Sequence, residues 1–122
     1  MFNLGVLYSN GLGVKQDYNK AKEYYERASE LGNSKAMTNL GILYYNGNGV
    51  KQDYNKAKEY YERAFELGDS DAMIKLGALY ENGRGVKQNY NKAKEYYERA
   101  SELGDSNAII RLRALYDKGL SS

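Results

Sequence analysis

Apolar positions recur at three- and four-residue steps in two kinds of segment that alternate along the chain. In the first kind, Tyr54, Ala57, Tyr60, Tyr61, Ala64 and Leu67 share one face, which predicts an amphipathic helix. Asp53 stands where an N-cap accepts an amide hydrogen bond, as do Asp17 and Asn89, and Gly68 stands where a left-handed residue ends the helix. The second kind runs from about Ser70 to Asn82 and from Ser34 to Asn46, with the serine expected as cap and Gly83 or Gly47 as stop. A loop, Gly47-Asn48-Gly49-Val50-Lys51-Gln52, joins the two kinds, and its Val50 is expected to fill the apolar space between them. Its Gly-x-Gly is turn chemistry, because no strand precedes it and no Gly-Lys-Ser/Thr follows to hold phosphate.

The whole arrangement repeats every 36 residues. Residues 1–36, 37–72 and 73–108 are copies, the first two matching at 29 of 36 positions, and 109–122 begin a fourth that reads as a C-terminal capping helix. Neither helix of a unit can bury its apolar face alone, so the fold class expected is all-α, an α/α solenoid of stacked antiparallel helix pairs, seven helices in all and no strand. Gly5, Gly41 and Gly77 recur inside a helix, where glycine costs about 1 kcal/mol against alanine; the recurring cost implies close approach of a neighbouring helix. Glu23 with Arg27, Glu59 with Arg63 and Glu95 with Arg99 stand four apart in the favourable order, as exposed pairs contributing about 0.3 kcal/mol each.

Composition narrows the chemistry. The chain has 122 residues, no cysteine, no histidine and a net charge of +2. Disulfides, thiol and imidazole catalysis, the usual zinc sites and a basic nucleic-acid face are therefore not expected, and neither a catalytic nor a metal site nor a cofactor is assigned. No apolar run is long enough to span a bilayer, so no membrane insertion is expected, and Met1-Phe2-Asn3-Leu4 lacks the regions of a signal peptide. A soluble, cytoplasmic setting is favoured.

The recurring Leu40-Gly41, Tyr44, Gly47-x-Gly49-Val50, Asp53, Lys56-Ala57, Tyr60-Tyr61, Ala64 and Gly68 closely resemble the Sel-one-like repeat (SLR), a relative of the tetratricopeptide repeat. The resemblance implies a right-handed superhelix and a non-catalytic scaffold that binds a partner protein or peptide on its concave face. One cysteine-rich, Helicobacter-type branch is linked to β-lactam binding or hydrolysis; a chain without cysteine departs from that branch.

The positions that vary between copies mark where a partner would bind. Lys35, Thr38, Asn39, Ile42 and Tyr45 fall within an arc of roughly 120° when stepped at about 100° per residue, separate from the recurring Ala36, Met37, Leu40, Gly41, Leu43 and Tyr44. Read along the array, these positions make rows. Val6, Ile42, Ala78 and Ala114 form a floor. Asn3, Asn39, Lys75 and Arg111 form one flank, and Ser9, Tyr45, Glu81 and Asp117 the other; Asp71 and Ile74 repeat the places of Lys35 and Thr38. Asn and Tyr there suit a peptide backbone, and Lys75 and Arg111 a carboxylate or phosphate. Asn10, Asn46 and Asn82 face the same side but are expected to cap helix ends. Most of the 14 tyrosines recur in phase and are expected in packing; Phe2, Tyr45 and Phe65 are aromatics the repeat does not require.

A structural alternative is a self-associating or consensus-like repeat segment with no ligand of its own. It rests on an N-terminal helix lacking the cap and alanine that precede Met37, which would leave apolar surface for weak self-association.

Overall fold

A computed structural model describes residues 1–118. Among them are seven helices and no strand: α1 (Phe2–Asn10), α2 (Tyr18–Glu30), α3 (Ser34–Asn46), α4 (Tyr54–Glu66), α5 (Ser70–Asn82), α6 (Tyr90–Glu102) and α7 (Ser106–Asp117). The main contacts run between consecutive helices, α1 with α2 through α6 with α7, as in a stack of helix pairs. The chain is an all-α solenoid. The last helix begins at Ser106, ahead of the expected 109, and residues 119–122 of the expected capping helix lie outside the described residues.

The core is divided accordingly into three clusters, one per junction, each centred on the second tyrosine of a Tyr-Tyr pair. Tyr61 is packed with Ala57 and Ala64 of its own helix and with Ala72, Leu76 and Leu79 of the next; Tyr25 and Tyr97 hold the same place in the other two. The recurring helix glycine is what admits that ring. A Cβ on Gly41 would lie 2.5 Å from Tyr61 Cε1, and one on Gly5 or Gly77 would meet Tyr25 or Tyr97 at the same distance. The close approach comes from the partner helix of the same unit. Both glycines of each Gly-x-Gly have positive φ, and the second also packs backward: a Cβ on Gly49 or Gly85 would strike Tyr18 or Tyr54 of the preceding unit. Val86 likewise packs on the cluster formed by α4 of the preceding unit and by α5, Val50 is half-buried, and Val14 stays exposed.

Several local expectations are corrected by longer-range contacts. Asp17, Asp53 and Asn89 cap as expected, but α3, α5 and α7 are capped by Asn33, Asp69 and Asp105 rather than by the serine that follows. A carboxylate has two oxygens, and the second one here ties α3 to the cap of α5 and α5 to the cap of α7. Asp69 accepts from its own helix at Asp71 N (3.1 Å) and from Thr38 Oγ1 of α3 (2.7 Å), and Asp105 accepts from Asn107 N (3.0 Å) and Ser70 Oγ (3.0 Å). The expected Glu-Arg pairs do not form among the described residues. The guanidinium instead covers a ring, Arg27 over Tyr24, Arg63 over Tyr60 and Arg99 over Phe65, and the ion pairs present are Lys22 with Glu26 and Lys118 with Glu81. Tyr8, Tyr44 and Tyr80 stack on Tyr24, Tyr60 and Tyr96 at 5.7–5.8 Å. Tyr116, the fourth in phase, is exposed because no partner helix lies beyond α7 among the described residues.

Candidate functional site: tyrosine-floored clefts along the odd helices

The odd-numbered helices present the varying positions on one face, and two clefts open there, one repeat apart. The first, about 360 Å³, is lined by Val6 and Ser9 of α1, Asn39 and Ile42 of α3, and Gln16 and Tyr18 beyond the loop, with Tyr25 beneath. The second, about 210 Å³, is lined by Ile42, Tyr45 and Asn46 of α3, Lys75, Ala78 and Asn82 of α5, and Arg111 of α7, with Tyr61 beneath. Ile42 divides the two. A third, about 310 Å³, lies between α5 and α7 among Asp71, Ile74, Lys75, Asn107, Ile110 and Arg111.

The repeat explains why the clefts have a common plan and different rims. Each floor is a tyrosine held by an invariant glycine, so its position is set by the core; each rim is made of residues that the core leaves free to vary. The first cleft carries no charged residue, while the second has Lys75 and Arg111 and no carboxylate in its lining. Burial pushes the Tyr25 phenol up, against the pull of Asn39 and Ser9, and burial with the nearby Tyr45 pushes Tyr61 far up. At neutral pH both floors are therefore neutral hydroxyls, able to donate or accept.

The equivalent slot above Tyr97 is filled. Tyr97 Oη donates to Glu81 Oε1 at 2.8 Å and Lys118 Nζ donates to Glu81 Oε2. Burial raises the Glu81 carboxyl, but the bonds from Lys118 and Tyr97 outweigh it and leave it below its ordinary value. Tyr97 is pushed far up, by burial first and then by Glu81.

The sequence-predicted positions separate into three groups. Val6, Ser9, Asn39, Ile42, Tyr45, Lys75, Ala78 and Arg111 line the first two clefts, and Asp71 lines the third. Asn3, Lys35 and Asp117 are exposed but line none of these clefts. Thr38, Ile74 and Glu81 are buried, at 3%, 5% and 8% exposure, against the expectation of open positions: Thr38 spends its hydroxyl on Asp69, Ile74 joins the cluster around Tyr97, and Glu81 bonds Tyr97 and Lys118. Tyr45 is half-buried, its ring 5.1 Å from that of Tyr54 with the Arg84 guanidinium over both.

Sequence reasoning passed over the cleft floors, because an in-phase tyrosine reads as core, which Tyr25 and Tyr61 also are. It assigned Asn46 and Asn82 to capping, yet both line the second cleft, and the carbonyls near those helix ends are taken by the periodic Gln16, Gln52 and Gln88, whose Nε2 groups donate to Ser9, Tyr45 and Glu81 oxygens at 2.8–2.9 Å. The recurrence of that glutamine was the available signal. No described helix is long and apolar enough to cross a membrane, and no described cluster of acidic residues could hold a metal ion.

Comparison with known proteins places this architecture. The Sel1 repeat family model matches residues 1–33, 34–69 and 70–105, its unit edges falling between helix pairs. A Sel1 repeat protein from Oxalobacter formigenes is similar at 40% identity and a TM-score of 0.88, over 98% of this chain and 49% of that one. A protective antigen of uropathogenic Escherichia coli strains with an SLR fold is similar at 37% identity and a TM-score of 0.89, over 98% of this chain and 26% of that one. The cysteine-rich protein B of Helicobacter pylori is similar at 35% identity and a TM-score of 0.75, over 89% of this chain and 80% of that one. The chain thus spans half or less of the first two structures. Sel1 repeats are generally protein-interaction modules. With its three matched repeats and its stacked helix pairs, the chain belongs to the Sel1 repeat family.

Proposed function

We propose that the face of the odd-numbered helices is a non-catalytic binding groove for an extended segment of a partner protein. The observation that carries this reading is the pair of open clefts in tandem, with a constant tyrosine hydroxyl below and a different rim on each. Apolar floor residues supply burial, the asparagines and tyrosines supply backbone hydrogen bonds, and the rims supply selectivity. Selection of a random dodecapeptide library tests it, using the wild type and a variant whose clefts are filled by Ile42→Arg and Ala78→Arg. Selected peptides should bind the wild type, lose binding to the variant, and shift the amide resonances of Asn39, Tyr45 and Lys75. Peptides that bind both proteins alike would remove the groove from consideration.

A second reading is end-to-end self-association. It is favoured by exposed apolar side chains at opposite ends of the array, Met1 and Leu4 at one and Ile109, Ile110 and Tyr116 at the other. Light scattering over a concentration series separates it, since groove binding requires no change in mass.

A further inference from the structure

The slot above Tyr97 differs in kind from the two open clefts. The same register in the preceding units holds Ser9 and Tyr45, so the helix pair is built without a charge there; Glu81 introduces a carboxylate at 8% exposure. An unpartnered charge at such a place is strongly unfavourable, and Glu81 is partnered twice, by the Tyr97 hydroxyl and by the Lys118 ammonium. Lys118 follows the last turn of α7 at the register of Asn46 and Asn82, both of which line the second cleft. Its side chain is 48% exposed, so its ammonium reaches the carboxylate from the solvent side, as a ligand's would. One repeat earlier the cleft above Tyr61 is open, with Lys75 and Arg111 in its wall. An anionic receptor occupied by the chain's own lysine therefore adjoins an open cationic cleft.

We infer that the slot above Tyr97 is a receptor for a lysine side chain, held by Lys118 while the groove is empty, and that with the cleft above Tyr61 it selects a partner segment carrying one acidic and one lysine side chain. The inference rests on the groove reading above and names the partner's chemistry. An extended strand rises about 3.3 Å per residue, so two charges three residues apart span about 10 Å, and the peptides below carry that spacing. The acidic side chain meets Lys75 and Arg111 in charge-assisted hydrogen bonds. The partner's ammonium replaces that of Lys118 on Glu81, one cation for another, and Lys118 passes wholly into water. Such an exchange keeps Glu81 paired and frees Lys118 to water, a modest gain of about ten-fold, whereas an acidic side chain placed there would face the Glu81 carboxylate and be rejected.

Fluorescein-labelled decapeptides in a glycine-serine background test this by anisotropy at low salt: Asp-x-x-Lys, Lys-x-x-Asp, Asp alone and Lys alone. One mixed peptide should bind about ten-fold more tightly than either single-charge peptide. Lys118→Ala should tighten that peptide several-fold while changing the Asp-only peptide about two-fold or less, because only the former competes with Lys118. Glu81→Gln should abolish the mixed peptide's advantage; should that variant fold poorly, Lys118→Ala alone decides. Mixed and Asp-only peptides binding alike, or Lys118→Ala failing to tighten the mixed one, would overturn the inference while leaving the groove intact, provided amide shifts map to Asn39, Tyr45 and Lys75. No binding, or shifts confined to the even-numbered helices, would overturn both.

Discussion

Gly41→Ala should destabilise the protein, although alanine is the better helix former. The added methyl would lie 2.5 Å from Tyr61 Cε1, 2.7 Å from Cδ1 and 3.1 Å from the Ala57 carbonyl oxygen. That ring is 1% exposed and flanked by Ala57, Ala64, Leu76 and Leu79, so it cannot yield to the methyl without disturbing the core packing around it. Helix propensity favours alanine by about 1 kcal/mol, whereas overpacking a close-packed site costs about 1–3 kcal/mol. Contacts this short belong near the upper end, leaving a net loss of about 2 kcal/mol. In a domain of this size that lowers the midpoint by roughly 4–8 °C. The chain carries its own control at Arg113, which has the same register on α7, is exposed, and has no tyrosine of a partner helix against it among the described residues. Arg113→Ala should be silent, within about 0.5 kcal/mol, and Arg113→Gly should cost about 1 kcal/mol from propensity alone. One exchange thus takes opposite signs at two equivalent positions. Urea and thermal unfolding followed by far-ultraviolet circular dichroism measure both, with the denaturant slope checked because stacked repeats can unfold in parts. A raised midpoint for Gly41→Ala, or Arg113→Gly melting like Arg113→Ala, would refute the argument from the ring.

Three tyrosines within α3 and α4 should rank by burial. Tyr61→Ala should cost about 3–5 kcal/mol, and the half-buried Tyr44, stacked on Tyr60 at 5.7 Å, about 2 kcal/mol. Tyr45→Ala should cost about 1–2 kcal/mol rather than nothing, because its ring packs on Tyr54 beneath Arg84; equal melting of Tyr45→Ala and wild type would show those contacts to be idle. The Glu81 cluster predicts a pH window. Glu81 is lowered in the folded state, so its contribution is complete above the unfolded carboxylate value of about 4.3 and is lost as pH falls through the folded value; Lys118 is raised by Glu81, so its contribution is complete below about 10.4 and is lost as pH rises through its folded value. Tyr97 and Arg111 face the same carboxylate and share in the effect. Relative to Glu81→Gln, wild-type stability should be greatest between those limits and converge in acid; parallel profiles down to pH 3 would show that the cluster makes no linked contribution.

The helices, their spacing and their solenoid order were legible along the chain because each depends on near neighbours: the 3.6-residue period, a capping side chain, a left-handed glycine. The recurrence of Gly41 even announced that a ring or backbone would come close. The ring itself, Tyr61, was identifiable only in three dimensions, as was the use of each N-cap carboxylate's second oxygen, since Asp69 meets Thr38 across 31 residues of sequence. Such contacts determine that Thr38 spends its hydroxyl on Asp69 despite facing the variable arc, that Asn46 and Asn82 border a cleft, and that Glu81 is held between Tyr97 and Lys118. A helical wheel assigns direction but not depth. Depth is set by the side chains of the next unit, and in a repeat array those differ at the positions that vary between copies.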